Sequence, residues 1–299
     1  MFKNDLLTIL ITLSIIILII YIFKKANRLH NNHEGFIQSV PYVFKQNSEI
    51  YDSFYTDVYD DLYKTQNRVE YEYKKIIDMT QPSKQNSVFL DIGSRTGHLV
   101  NILTESGYNS RGIDESKAMI DYSETKFPKI TVKKCSMLDS MAFDKSVFTH
   151  ITCMDFIFYH FPDKSLFFKN CYNWLMPNGY LILHLVNKSK FNPIVPAGNP
   201  VLLDNPQKYS DKRITDTKIN FIDFMYKKSY DFDKDNQVIV KETFTDALTK
   251  NIRQNELTLY MENLDDILTI ARKHGFIIKG KVNMKNDEHQ YIYILERML

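Results

Sequence analysis

Two carboxylates about twenty residues apart are the first residues in this sequence with the placing to do chemistry. Asp91 lies at the end of the apolar run Val88-Phe89-Leu90-Asp91-Ile92 and is followed by Gly93 and Gly97. Glycine lets a backbone approach a ligand closely, and a helix starting beyond it points free N–H groups the same way. An acidic residue at that point repels phosphate and welcomes a cation or hydroxyl groups. Asp114 ends a second run, Arg111-Gly112-Ile113-Asp114, where a carboxylate commonly accepts paired hydrogen bonds from ribose hydroxyls. No Gly-Lys-Ser/Thr follows Gly93, and the spacing Gly-x-Gly-x-x-Gly is absent. Both absences argue against a nucleoside triphosphate and a dinucleotide.

These residues need a scaffold, and the pattern around them alternates strand with helix. Strands are predicted at Ser87–Ile92, Asn109–Ile113, Ile130–Cys135, Phe148–Cys153 and Tyr180–Val186. Helices are predicted from about 97 to 106, 117 to 126 and 164 to 175. Such alternation means right-handed crossovers and an α/β, Rossmann-like doubly wound sheet, parallel and covered on both faces. Ligands on these sheets bind at the carboxyl ends of the strands, which is where Asp91, Asp114, Ser136 and Met154 fall. A helix at 264–274 and a closing hairpin, Phe276–Met284 with Gln290–Arg297, bring the sheet to seven strands. Between them, about 188–262 reads as an inserted antiparallel β cap over the strand ends. Its strands are predicted at Phe221–Phe232, Gln237–Thr245 and Asn255–Tyr260, with a turn at Asp233-Lys234-Asp235-Asn236. Upstream, Ile50 to Met79 has a helical pattern in which Tyr51, Tyr55, Tyr59 and Tyr63 share a face. That face either packs on the domain or closes a tyrosine over a ligand.

The chain opens differently. Leu6 to Phe23 is eighteen residues without a charge, about 27 Å of helix and close to the thickness of a bilayer core. A cleaved leader has a shorter apolar region ending in small residues, whereas this one ends in Tyr-Ile-Phe-Lys-Lys. The expectation is a transmembrane anchor over 1–29 and a juxtamembrane linker over 30–49, ahead of the domain at 50–299. Lys24, Lys25 and Arg28 follow the span and only Lys3 precedes it, which places the domain on the cytoplasmic side. Of 299 residues, 44% are hydrophobic and 25% charged, enough for a large core. A net charge of +2 gives no basic face, so no nucleic-acid partner is expected. Cys135, Cys153 and Cys171 sit in apolar patterns without Cys-x-x-Cys and read as buried thiols, with no metal site expected.

From about Ser87 to Val186 the chain resembles the class I S-adenosylmethionine-dependent methyltransferases, small-molecule branch. The family's acidic-x-Gly-x-Gly-x-Gly matches, apart from its central glycine, as Asp91-Ile92-Gly93-Ser94-Arg95-Thr96-Gly97. Its second motif matches as Gly112-Ile113-Asp114-Glu115-Ser116. The aromatic-His stretch after strand four matches as Cys153-Met154-Asp155-Phe156-Ile157-Phe158-Tyr159-His160, and Leu-Lys-Pro-Gly-Gly appears as Leu175-Met176-Pro177-Asn178-Gly179. The last hairpin suits the family's antiparallel final strand. The resemblance implies S-adenosylmethionine as cofactor. Gly93, Ser94 and Gly97 would cradle its methionyl part, with Asp91 near the ammonium group. Asp114 would take the ribose, Glu115 would lie beside the adenosine, Ser136 and Met137 would sit at the adenine, and Met154 would line the site. Arg95 takes the place of the central glycine, a position that faces the outer side of the loop.

Methyl transfer from a sulfonium asks mainly for proximity, alignment and a dry pocket. An amine or hydroxyl acceptor gains from a base, for which His160 and Tyr159, past strand four, are the candidates and Asp155 a weaker one. His184 reads as a core histidine or hydrogen-bond partner. The leading function is a membrane-anchored methyltransferase acting on a small-molecule, lipid-associated or amine acceptor. A degenerate binding or scaffold protein that keeps the fold, through Arg95 and Ser136, is one alternative. A nucleotide-dependent reductase or epimerase is the other.

Overall fold

The computed structural model describes residues 10–19, 40–198, 206–285 and 287–299. The chain divides into two units, 1–37 and 38–299. In the first, residues 10–19 form helix α1, whose Leu and Ile side chains are about half exposed. Among the described residues no helix is long and apolar enough to cross a membrane. The rest of the expected span, 6–9 and 20–23, lies outside the described residues.

The second unit holds two sheets. The larger has the strands β2 (Val88–Ile92), β3 (Asn109–Asp114), β4 (Val132–Lys134), β5 (Phe148–Cys153), β6 (Leu175–Val186), β11 (Phe276–Met284) and β12 (Asp287–Arg297). Their order is β11-β12-β6-β5-β2-β3-β4, with β2 to β6 mutually parallel and β12 antiparallel to both neighbours. Helices α4 (His98–Glu105), α5 (Lys117–Lys126) and α6 (Lys164–Trp174) supply the crossovers, and α7 (Leu264–Lys273) leads into β11. Central strands covered on both faces need continuous apolar side chains. Phe89, Leu90, Ile151, Leu181, Ile182 and Leu183 are all fully buried.

The smaller sheet runs β1 (Tyr42–Gln46), β10 (Ile252–Tyr260), β9 (Gln237–Asp246), β8 (Phe224–Lys234) and β7 (Asp216–Asn220). Strand β9 alternates cleanly, with Val238, Val240, Glu242 and Phe244 buried, the period-two signature of a sheet with one covered face. The β8–β9 hairpin turns at Asp235-Asn236, where Asn236 has φ of +54°.

Two expectations are corrected. Residues 42–46, expected as linker, are a strand paired in parallel with β10 from Tyr42↔Ile252 to Gln46↔Glu256. Pro41 and Asn47-Ser48 bracket these five residues but give no local sign of a partner more than 200 positions away. The helical stretch after Ile50 is two helices, α2 (Ser53–Tyr63) and α3 (Thr65–Thr80), broken at Lys64 with φ of +46°. No glycine or proline marks that break. It lets Tyr55 and Tyr63 face the smaller sheet while Val69, Glu72 and Ile76 are buried on α3.

Arg253 of β10, 2% exposed, fastens the two sheets through α2. It donates twice to Asp52, the α2 N-cap, at 2.9 and 2.8 Å, and once to the Ile50 carbonyl at 2.9 Å. Asp52→Ala removes the cap and strands a buried guanidinium, so it should destabilise the fold by about 3 kcal/mol. Urea unfolding of the two proteins measures that difference.

Candidate active site

The carboxyl ends of β2 to β5 open into a cavity of about 340 Å³, inside the roughly 300–1,000 Å³ range of small-molecule sites. Gly93 and Arg95 line it after β2, Asp114, Glu115 and Ser116 after β3, and Cys135, Met137 and Leu138 after β4. Ile157 and His160 from the loop after β5 make one wall. Leu257 and Tyr260 of β10 and Tyr51 from the turn before α2 cover it.

The loop geometry explains the glycine. Gly93 has φ of +68°, and a Cβ there would stand 2.6 Å from Ile157 Cδ1. Its N–H and that of Ser94 both donate to the Ile113 carbonyl, at 2.8 and 3.1 Å, tying the loop to β3. Asp114 accepts from the backbone N–H groups of Arg95 at 2.9 Å and Ser116 at 2.8 Å. These bonds orient the carboxylate and leave further lone pairs for hydroxyl donors. Burial pushes the Asp114 carboxyl up, opposed by those N–H groups and the Arg95 charge.

Asp91 lies deeper, 5% exposed, in a pocket of about 30 Å³ shared with Arg68, Glu72, Ser94, Met154 and Asp155. Thr152 Oγ1 donates to it at 2.6 Å. Burial nonetheless pushes its carboxyl up to about 7, so it gains from a cationic partner.

A second chamber of about 120 Å³ lies beneath β8, β9 and β10. Its floor is a buried network in which Glu242 accepts from Tyr226 at 2.6 Å, Tyr55 at 3.0 Å and Tyr63 at 3.1 Å. Lys228 Nζ donates to Tyr63 at 2.6 Å and stands 3.4 Å from Glu242. Tyr51, Arg95, His160 and Leu257 line both the cavity and the chamber and form the partition between them.

Arg95 corrects its expectation most. It turns inward and is 9% exposed, with φ of +50°. Its guanidinium packs over the rings of Tyr51 and Tyr59, at 5.1 and 5.0 Å, and donates to the Asp155 carbonyl at 3.3 Å. The Asp155 carboxylate pairs with Arg68 and accepts from Tyr59. Burial would raise the Asp155 carboxyl, but Arg68 and Arg95 outweigh it and hold it below the usual range.

The other expected residues divide. His160 lines the partition, with Tyr51 Oη 3.5 Å from its Nε2. Burial, helped by the Arg95 charge, pushes its pKa down to about 3, so the imidazole is neutral. Tyr159 is fully buried, lines neither the cavity nor the chamber, and its hydroxyl accepts the Val186 N–H at 2.9 Å, which makes it a structural residue. Gly97 packs away from the cavity, since a Cβ there would meet Ile130 and Ser123 at 2.7 and 2.8 Å. Ser136 turns aside to accept the Leu138 N–H at 3.3 Å, leaving Met137 and Leu138 to line the cavity. His184 donates its Nε2–H to Gln290 Oε1 at 3.0 Å and lines the chamber. Arg68, Lys228 and Glu242 went unnoticed because isolated charges in helix and strand patterns carry no motif.

Residues 90–183 match the family described as Methyltransferase domain. The ubiquinone biosynthesis O-methyltransferase of Coxiella burnetii is 28% identical over 103 residues, covering 33% of this chain and 44% of that one. The chain thus matches less than half the length of such curated relatives. An S-adenosylmethionine-dependent methyltransferase from Clostridium acetobutylicum shares 18% identity at a TM-score of 0.62, over 82% of this chain and 98% of that one. An amino pentose methyltransferase from Micromonospora echinaspora, solved with S-adenosylmethionine bound, shares 14% at a TM-score of 0.56, over 81% and 97%. At these identities the likeness is one of fold.

The residues present fit S-adenosylmethionine, the ligand bound in the M. echinaspora structure. Asp114 would take the ribose hydroxyls and Met137 and Leu138 the adenine. Gly93 would give the close approach, and buried Asp91 would face the ammonium end. Only ionised Asp91 pairs with an ammonium, so binding should release a proton near pH 7. Below pH 7 the affinity for S-adenosylhomocysteine should fall by up to about tenfold per unit. Isothermal titration between pH 5 and 7, in buffers of different ionisation enthalpy, measures both effects.

Proposed function

We propose that this S-adenosylmethionine-dependent methyltransferase domain transfers a methyl group to a small polar acceptor held in the chamber beneath β8, β9 and β10. One observation carries the reading: the cofactor cavity and the chamber share a wall of four side chains, Tyr51, Arg95, His160 and Leu257. When bound, the cofactor supplies a sulfonium methyl that an acceptor's lone pair displaces in line, releasing S-adenosylhomocysteine and one proton from an N–H or O–H acceptor. The protein's part is alignment and exclusion of water. Buried Tyr55, Tyr63, Lys228 and Glu242 preorganise the chamber floor, and the cover of β10 and Tyr51 shields the path. Neutral His160 presents a ring nitrogen at the partition that can accept a hydrogen bond from the acceptor. A pKa near 3 suits it to orienting that group more than to storing its proton.

A chamber of about 120 Å³ with an ion pair in its floor favours a compact polar acceptor over one with a long apolar tail. The C. burnetii relative is named for ubiquinone biosynthesis. A ring of that size fits the reading, whereas a polyprenyl chain would have to lie outside the chamber.

The membrane anchor belongs to the same proposal. The uncharged stretch Leu6–Phe23, flanked by Lys24, Lys25 and Arg28, supports a single span with the domain on the cytoplasmic side. The apolar side chains of α1 support it too. The full-length protein should sediment with membranes and resist carbonate extraction, and a form starting at residue 38 should stay in the supernatant.

Transfer itself is tested with tritiated-methyl S-adenosylmethionine and a panel of small amines, phenols and acids. Wild-type protein should label at least one acceptor. Asp114→Ala should lower kcat/KM at least a hundredfold, and a variant that labels as fast as wild type removes Asp114 from the site.

A further inference from the structure

The chamber holds more positive charge than its own carboxylates neutralise. Among the described residues, Arg68, Arg95 and Lys228 are its permanent cations, and Asp155 and Glu242 its only carboxylates. Glu242 is already engaged by Lys228, three tyrosines and Asn255, at 3.4 Å from the Asn255 amide nitrogen. That leaves one carboxylate, Asp155, for two guanidiniums. Arg68 contacts it directly, whereas the Arg95 pair is loose, with Nε 3.7 Å from Asp155 Oδ2.

The hydrogen-bond inventory agrees. The Nε–H groups of Arg95 and Arg68 are buried without a hydrogen-bond partner among the described residues. Glu72 reaches Arg68 Nε only at 3.5 Å. Burial pushes the Glu72 carboxyl up to about 8, so it does not furnish the missing charge. Unpaired buried donors beside an uncompensated cation each cost free energy. A planar bidentate acceptor is the group that a guanidinium matches.

We propose that the methyl acceptor carries a carboxylate, which Arg95 binds inside the chamber. Arg95 is then the residue that selects the acceptor, and it stands where related domains have a glycine. The proposal rests on the methyltransferase reading and adds the substrate class. The carboxylate of the cofactor's own methionyl end is the rival source for the same guanidinium, because Arg95 also borders the Asp91 pocket.

The test uses full-length protein saturated with S-adenosylhomocysteine, wild type and the variants Arg95→Gly and Arg95→Gln. Benzoate and benzamide, which differ in charge at one group, are the probes, followed by ligand-observed magnetic resonance. Wild type should bind benzoate at least tenfold tighter than benzamide. That ratio should fall to within about twofold of unity in both variants, each measured while saturated with S-adenosylhomocysteine. Equal binding of both probes by wild type, or binding of neither, overturns the proposal. So does an unchanged ratio in the variants. If the variants instead lose S-adenosylhomocysteine more than tenfold while the ratio holds, the cofactor owns the contact and the proposal fails. Failure of wild type to bind S-adenosylhomocysteine at all would count against the methyltransferase reading itself.

Discussion

One carboxylate, that of Asp155, has to satisfy two guanidiniums and a phenol that come from three parts of the chain. Arg68 arrives on α3, Arg95 on the loop after β2, and Tyr59 on α2. Asp155 itself and Phe156 hold positive φ values of 52° and 64°, a conformation that costs roughly 1–3 kcal/mol per residue and persists only where surroundings enforce it. The strained turn after β5, the glycine loop and the helical pair are therefore locked by a single buried ionic cluster. Everything functional borders that cluster. The cofactor cavity lies on one side, the chamber on the other, and Arg95 belongs to both.

The smaller sheet gives the cluster its second role. A doubly wound sheet alone leaves its strand ends open to water. Here β10 and the turn carrying Tyr51 cover them, and Arg253 fixes that cover to α2 through Asp52. Burial then does electrostatic work. It raises the Asp91 carboxyl to about 7 and holds the His160 imidazole neutral. The same low-dielectric setting would strengthen every ionic contact with a bound cofactor or acceptor.

Much of this was legible in the sequence where local chemistry repeats along the chain. The alternation from Val88 to Val186 announced the parallel sheet, and Gly93 and Asp114 pointed to the edge where the cavity lies. The β8–β9 hairpin was visible through its turn and its period-two pattern. What stayed hidden depended on contacts between distant segments. Strand β1 exists only because β10 offers it an edge, and Lys64 breaks a helix without glycine or proline. Tyr159 looked like a neighbour of the chemistry because it precedes His160, yet a 3-10 turn at 157–160 sends the two side chains to different places. Arg95 was seen as a departure from a glycine, but its inward course depends on Tyr51, Tyr59 and Asp155, none of which the motif contains.

In the proposed function the carboxyl ends of β2, β3 and β4 cradle the cofactor. Hydrogen–deuterium exchange with and without S-adenosylhomocysteine tests it most directly. Slowed exchange confined to the stretches around Gly93–Thr96, Asp114–Ser116 and Met137–Leu138, with the neighbouring partition at Tyr51 and His160, is the predicted result. Protection that appears elsewhere and leaves those loops unchanged would contradict it.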